Sequence, residues 1–166
     1  MYKKFLKRDI HSFYIKNEYD NTYLLKSYNN KLFFAKPDSI NIPIKFVLES
    51  IYNDYTIPEG VYFSLRLYGT KSEYLSFEND LLCIKDTPCN KIFVKYYNDN
   101  KKRSIEPIQY NKKYFILVKD QGIKKLNIWI YLFNQFNTNA YLDDFDYKNN
   151  KEKNSLIKNT YLFSFE

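Results

Sequence analysis

Residues 23–48, YLLKSYNNKLFFAKPDSINIPIKFVL, and residues 74–94, YLSFENDLLCIKDTPCNKIFV, carry the same order of apolar signals. Each opens on a Tyr-Leu pair, Tyr23-Leu24-Leu25 and Tyr74-Leu75-Ser76. Each continues through a leucine-centred run, Leu32-Phe33-Phe34 and Leu81-Leu82-Cys83-Ile84. Each closes on an isolated phenylalanine, Phe46-Val47-Leu48 and Phe93-Val94. The copies lie about fifty residues apart, within the range of repeated supersecondary units. A looser third copy is expected at Tyr114-Phe115-Ile116, Leu126-Asn127-Ile128 and Phe133 or Phe136. Such a repeat points to a pseudo-symmetric all-β body and away from a catalytic fold with a recognisable motif.

Working outward, Ile10 to Ile15 reads as a first strand. Thr22 to Lys26 and Lys31 to Ala35 form a hairpin around Asn29-Asn30. Ile44 to Leu48 returns after a loop between Pro37 and Pro43, and Glu49 to Tyr55 is a short helix or a loop. Val61 to Leu67 alternates with period two, as a half-buried strand does. Tyr74 to Phe77 and Leu81 to Ile84 make a second hairpin around Asn79-Asp80, and Lys91 to Tyr97 follows as a strand. Pro107 limits Ile105 to Gln109 to an edge. Lys113 to Val118 pairs with Lys125 to Phe133 around Asp120-Gln121-Gly122. Ala140 to Leu142 is short, and Thr160 to Phe165 closes the chain. No stretch has a helical stripe, and no linker divides the 166 residues. The expectation is one compact all-β domain of about twelve short strands. Residues 1–9 form an N-terminal arm, and 143–158 a polar, mobile loop.

With that strand count, the two quoted stretches resemble the β-trefoil superfamily. In that family each lobe has an aromatic-Leu strand, a leucine-rich strand after a turn, and a phenylalanine strand. The resemblance covers residues from roughly 10 to 136 in two good lobes and one poor one. It implies a barrel-like binding scaffold. No Gln-x-Trp occurs and Trp129 is the sole tryptophan, so the likeness is to fascin-like, cytokine-like or inhibitor-like members rather than ricin-type lectins.

Aromatic residues make up 20% of the chain, with 18 Tyr and 14 Phe. Strands favour both types. The joint enrichment of Lys, Asn, Ile, Tyr and Phe also follows from an AT-rich genome. With only three glycines, turns must use Asn, Asp, Ser and Lys, and Asn tolerates positive φ best of these. The formal charge of +7 is nearly all lysine; Arg8, Arg66 and Arg103 are the only arginines. A lysine surface attracts polyanions weakly and lacks the two-pronged readout of arginine. The start of the chain has no apolar run behind its charges, and no apolar stretch reaches spanning length. An intracellular site is expected, cytoplasmic or within a virus particle.

Catalytic chemistry finds little footing. His11 is the only histidine; it is either a strand residue or a base for Cys83 or Cys89. The two cysteines are either thiols or a short bridge. Zinc lacks ligands at the usual spacing. Asp143, Asp144, Asp146 and Asn149 lack the glycine and final glutamate of a calcium loop and read as a solvated acidic stretch. Glu78 and Asp80 are turn residues before they are an acid–base pair. No enzyme, cofactor or metal is expected.

Basic clusters occur at Lys3, Lys4, Lys7 and Arg8, at Lys101, Lys102 and Arg103 beside Tyr96 and Tyr97, and at Lys112-Lys113 and Lys124-Lys125. They form either a solvated lysine surface or a basic rim for RNA or an acidic protein. The leading expectation is a non-enzymatic module docking on a partner protein in a larger assembly. Its contacts would be Tyr96, Tyr97, Lys101, Lys102 and Arg103, where cations and aromatics meet in a loop. Nucleic-acid association on a ribosome or viral genome is the alternative, and a glycan- or protease-binding trefoil a further one.

Overall fold

The computed structural model describes residues 5–18, 20–26, 32–50, 55–78, 81–96, 106–119, 128–130 and 162–166. Among these the chain forms eleven strands and no helix. They are β1 Ser12–Asn17, β2 Thr22–Lys26, β3 Leu32–Ala35, β4 Lys45–Glu49, β5 Ser64–Leu67, β6 Tyr74–Glu78, β7 Leu81–Lys85, β8 Ile92–Tyr96, β9 Tyr114–Lys119, β10 Ile128–Ile130 and β11 Phe163–Phe165.

Six of them make a nearly closed, barrel-like antiparallel ring. β1 pairs with β4, β4 with β5, β8 with β9, β9 with β11, and β11 with β1. β5 meets β8 at one bridge beside its first residue, where the Phe63 amide donates to the Ile92 carbonyl over 2.8 Å. The other strands lie against the ring. The hairpin β2–β3 pairs with β1, the hairpin β6–β7 with β5, and β10 with β9.

The registers explain the repeat. Phe13 faces Phe46, Phe63 faces Ile92, and Tyr114 faces Phe163. All six side chains are buried. Alternation along β1 turns Phe13, Ile15 and Asn17 inward and leaves Ser12, Tyr14 and Lys16 half-buried. No strand of four to six residues could bury enough surface alone. The ring pools their aromatic and aliphatic faces in one core that includes Leu24, Phe34, Leu48, Leu65, Leu75, Val94 and Phe165.

One end of the ring is capped by three short segments rather than strands. Bridges join Phe5 to Gln109, Lys7 to Thr56, and Pro58 to Pro107. The Leu6 amide donates to Ile108 O over 2.8 Å, and the Ile108 amide to Ile57 O over 2.9 Å. Leu6, Ile57 and Ile108 are all buried. Each segment then turns through positive φ, at Asp9 (60°), Gly60 (80°) and Asn111 (59°). The amides at those turns donate to Leu48 O at 2.9 Å, Val94 O at 3.0 Å and Phe165 O at 2.9 Å. A Cβ at Gly60 would meet nothing within 4 Å, so its φ alone favours glycine.

Several expectations need correction. β1 starts at Ser12 because Ile10 is spent in the Asp9 turn, where it is exposed. The segment around Pro107 is not an edge strand; it is bridged on both sides in the cap. Residues 5–9, read as an arm, contribute the buried Leu6. Phe46 has Ile92 as its counterpart, not Phe93. The third copy does not begin at Tyr114, which shares the position of Phe13 and Phe63. Its hairpin position falls at Ile130, opposite Leu117, as Tyr23 lies opposite Lys16 and Tyr74 opposite Arg66. The expected short strand 140–142 and the polar stretch 143–158 lie outside the described residues.

Phe63 closes the weakest joint of the ring, so Phe63→Ala is expected to cost about 3–5 kcal/mol in urea unfolding at constant slope. A loss under about 1 kcal/mol would show that the joint does not carry the core.

Candidate functional site

The residues expected to bind a partner fall mostly beyond what is described. Tyr96 ends β8 with its backbone opposite Tyr114. Tyr97, Lys101, Lys102 and Arg103 lie outside the described residues, as do Lys3, Lys4, Lys124 and Lys125. Of the described basic residues at the capped end, Lys7, Arg8 and Lys112 have partners, and Lys113 is exposed. The Lys7 ammonium sits 5.0 Å from the Tyr55 ring, and Arg8 Nε lies 3.8 Å from Asp9 Oδ2. Lys112 Nζ lies 3.7 Å from Glu59 and 3.6 Å from Glu106. Among the described residues, Glu59, Glu106 and Asp9 lie beside Lys112 and Arg8 at this end.

His11 belongs to the same cap. Its Nδ1 accepts from the Lys7 amide at 3.2 Å, and its ring lies 6.0 Å from that of Tyr110. The Tyr110 hydroxyl donates to Ser12 O at 3.0 Å. The histidine reads as a tie between the cap and β1. No disulfide joins Cys83 to Cys89. Among the described residues no group of three or more His, Cys, Asp or Glu side chains could hold a metal ion, and no helix is long and apolar enough to cross a membrane.

Two polar clusters share one make-up. Tyr23 donates its hydroxyl to Glu166 Oε2 at 2.8 Å, and Lys16 Nζ reaches Glu166 Oε1 at 3.3 Å. Tyr74 likewise donates to Glu49 Oε2 at 2.9 Å, while Arg66 Nε bonds Glu49 Oε1. In each, a hairpin tyrosine and a ring-strand cation converge on a carboxylate at the end of the neighbouring ring strand. Arg66 also donates to Thr70 O, using its fork to hold the turn after β5. By register the third position has Lys95, Leu117 and Ile130 instead. These clusters lock hairpins to the ring, and sequence spacing gives no local hint of them.

The bond to Glu166, then burial, then the nearby negative charge raise the Tyr23 phenol to about 12. Burial first, then the bond to Glu49, raises that of Tyr74.

The other end of the ring offers a different surface. The β3–β4 loop, 36–44, carries Ile40 at 86% and Ile42 at 68% exposure, against 8% or less for the core. Its backbone is pinned. Asp38 Oδ1 accepts from the Ile40 amide at 2.8 Å and the Asn41 amide at 2.6 Å. The Asp38 amide donates to Asn41 O at 3.1 Å, closing the turn. Those amide bonds hold the Asp38 carboxyl below its ordinary value. Pro43 bridges to Leu25, and the Ile44 amide donates to Leu24 O at 3.1 Å, anchoring the loop on β2. Beside it, exposed Tyr68 donates its amide to Lys45 O at 2.9 Å, and Lys45 Nζ lies 5.4 Å from the Tyr14 ring and 5.9 Å from that of Tyr68. The sequence placed a loop here but not its presentation of two isoleucines. The signal was available, since two apolar residues lay in a segment already read as loop.

Comparison with protein-family models, curated proteins and solved structures finds no match.

A phenol raised on folding stabilises the fold fully below its ordinary value and loses that contribution as pH climbs through the folded one. For Tyr23 the window runs from 10.0 to about 12. Tyr23→Phe is expected to cost about 1 kcal/mol at neutral pH and to flatten the fall of stability across that window. Urea unfolding from neutral to strongly alkaline pH reads both effects; a variant with an unchanged alkaline slope would contradict the assignment.

Proposed function

We propose that the chain is a β-trefoil-like binding module, without a reaction of its own, that docks on a partner protein within a larger intracellular assembly. The trefoil reading is supported by the alternation of ring strands and hairpins, by the recurring Phe13, Phe63 and Tyr114 position, and by the three cap segments. The docking reading rests on one observation. Hydrogen-bonded turns at both ends of a buried core hold large apolar side chains in water: Ile10, Ile40, Ile42, Tyr55 and Tyr68. Exposed apolar groups on a fixed frame suit recognition, because little order remains to be imposed on binding.

The nucleic-acid alternative rests on the lysine excess; at the capped end Lys7, Arg8 and Lys112 have partners, whereas Lys113, like Lys36, Lys45 and Lys71 elsewhere, is exposed. The intact chain, used as bait at low and moderate salt, is expected to retain a protein partner at both. It should still do so with Lys101→Glu, Lys102→Glu and Arg103→Glu combined, or lose it with little dependence on salt. Binding to RNA or DNA that falls 10³-fold or more between about 50 and 200 mM salt, and vanishes in the triple variant, would replace this reading. Recovery of no partner at either salt would end it.

A further inference from the structure

We infer that the 36–45 loop is a docking surface for a protein that offers an apolar pocket edged by carboxylates, with Ile40 and Ile42 as its anchors. The inference rests on the docking reading above and assigns it a surface and a partner chemistry.

Three observations carry it. Ile40 and Ile42 are the two most exposed of the large apolar side chains described, so they spend the most surface in water. Their exposure is built in. Four hydrogen bonds hold the turn: Asp38 Oδ1 accepts from the Ile40 and Asn41 amides, its Oδ2 accepts from Asn41 Nδ2 at 3.3 Å, and its amide donates to Asn41 O; the Ile44 bond to Leu24 O and the Pro43–Leu25 bridge fix the far end. Exposed cations flank it: Lys36 precedes the loop, Lys45 follows it, and Lys71 sits with half-buried Glu73 in the turn after β5. The nearby Asp38 carboxylate is occupied by the turn's own N–H groups.

That charge pattern selects the occupant. A second copy docking by the same face would bring Lys36, Lys45 and Lys71 against their own kind, which opposes that two-fold self-association. A bilayer would have to accept the ionised Asp38 at the same tip as the isoleucines, and an unpaired charge is costly to remove from water. A protein pocket takes the two side chains alone and lets acidic groups at its edge meet the lysines, as hot-spot anchors with a polar rim do. The surface lies at the start of β4, and β8 ends at the opposite end of the ring.

The test uses the full chain, the Ile40→Ser/Ile42→Ser variant and the Lys101→Glu/Lys102→Glu/Arg103→Glu variant as baits in an extract of the source cells. Captured proteins are identified, purified and titrated against each bait. Unchanged urea midpoints verify that the isoleucine variant folds, as its exposure leads one to expect. The inference expects a purified partner with an acidic pocket edge whose affinity falls tenfold or more with the isoleucine variant. Asp38→Ala should weaken it severalfold by loosening the turn, and Lys36→Glu should slow its association. It is overturned if no purified partner loses more than about twofold with the isoleucine variant. It is equally overturned if that variant abolishes self-association in sedimentation, or binding to phosphatidylserine-containing vesicles, in place of a protein contact. A partner lost only in the 101–103 variant would overturn this surface while preserving the docking reading. A failure to capture any partner would remove both.

Discussion

The structure depends on closing a ring from strands too short to be stable singly. Phe13 against Phe46, Phe63 against Ile92 and Tyr114 against Phe163 supply three of its joints. Each residue is buried on a ring strand or, for Phe63, at the bridge beside one, so the loss of one leaves its partner facing a void. The tyrosine in this set needs a partner for its hydroxyl. It finds one in the Gln109 amide, which donates to it at 2.9 Å and thereby ties the cap to the core.

The cap makes the ring cooperative. Leu6, Ile57 and Ile108 come from distant parts of the chain, yet backbone bonds run from the first to the third and from the third to the second. Each is followed by a left-handed turn whose amide donates to a ring-strand carbonyl, at Leu48, Val94 or Phe165. Lobe contacts therefore pass through main-chain bonds as well as side-chain packing. The tyrosine–carboxylate locks at Glu49 and Glu166 add a side-chain version of the same link at two of the three positions. At the other end, the Asp38 hydrogen bonds and the Pro43–Leu25 bridge hold the loop that presents Ile40 and Ile42.

Much of this was legible. The hairpin β2–β3 and strands β4, β6, β7, β8 and β9 lie within a residue or two of their expected places, because alternation and turn residues mark them. What was not legible has physical causes. In β8, Ile92, Phe93 and Val94 are all buried, so alternation could not say which residue matched Phe46. Tyr114-Phe115-Ile116 looks like Tyr23-Leu24-Leu25, yet one lies on a ring strand and the other on a hairpin; both are apolar runs with no local mark of their neighbours. The cap segments around Leu6, Ile57 and Ile108 are too short to show any period. The locks join residues as distant as Tyr23 and Glu166, which no spacing rule reaches. Ile40 and Ile42 lie in a loop, and no spacing rule tells whether a loop's apolar side chains pack inward or stand in water.

Native-state hydrogen exchange at the cap tests the closed ring most directly. The amides of Leu6, Asp9, Gly60, Ile108 and Asn111 each donate to a residue from a distant part of the chain. If the cap and ring form one unit, these amides exchange at the rate of global unfolding, together with those of β4 and β8. Exchange of any of them at the rate of an open loop, while the strands stay protected, would contradict a ring closed through its cap.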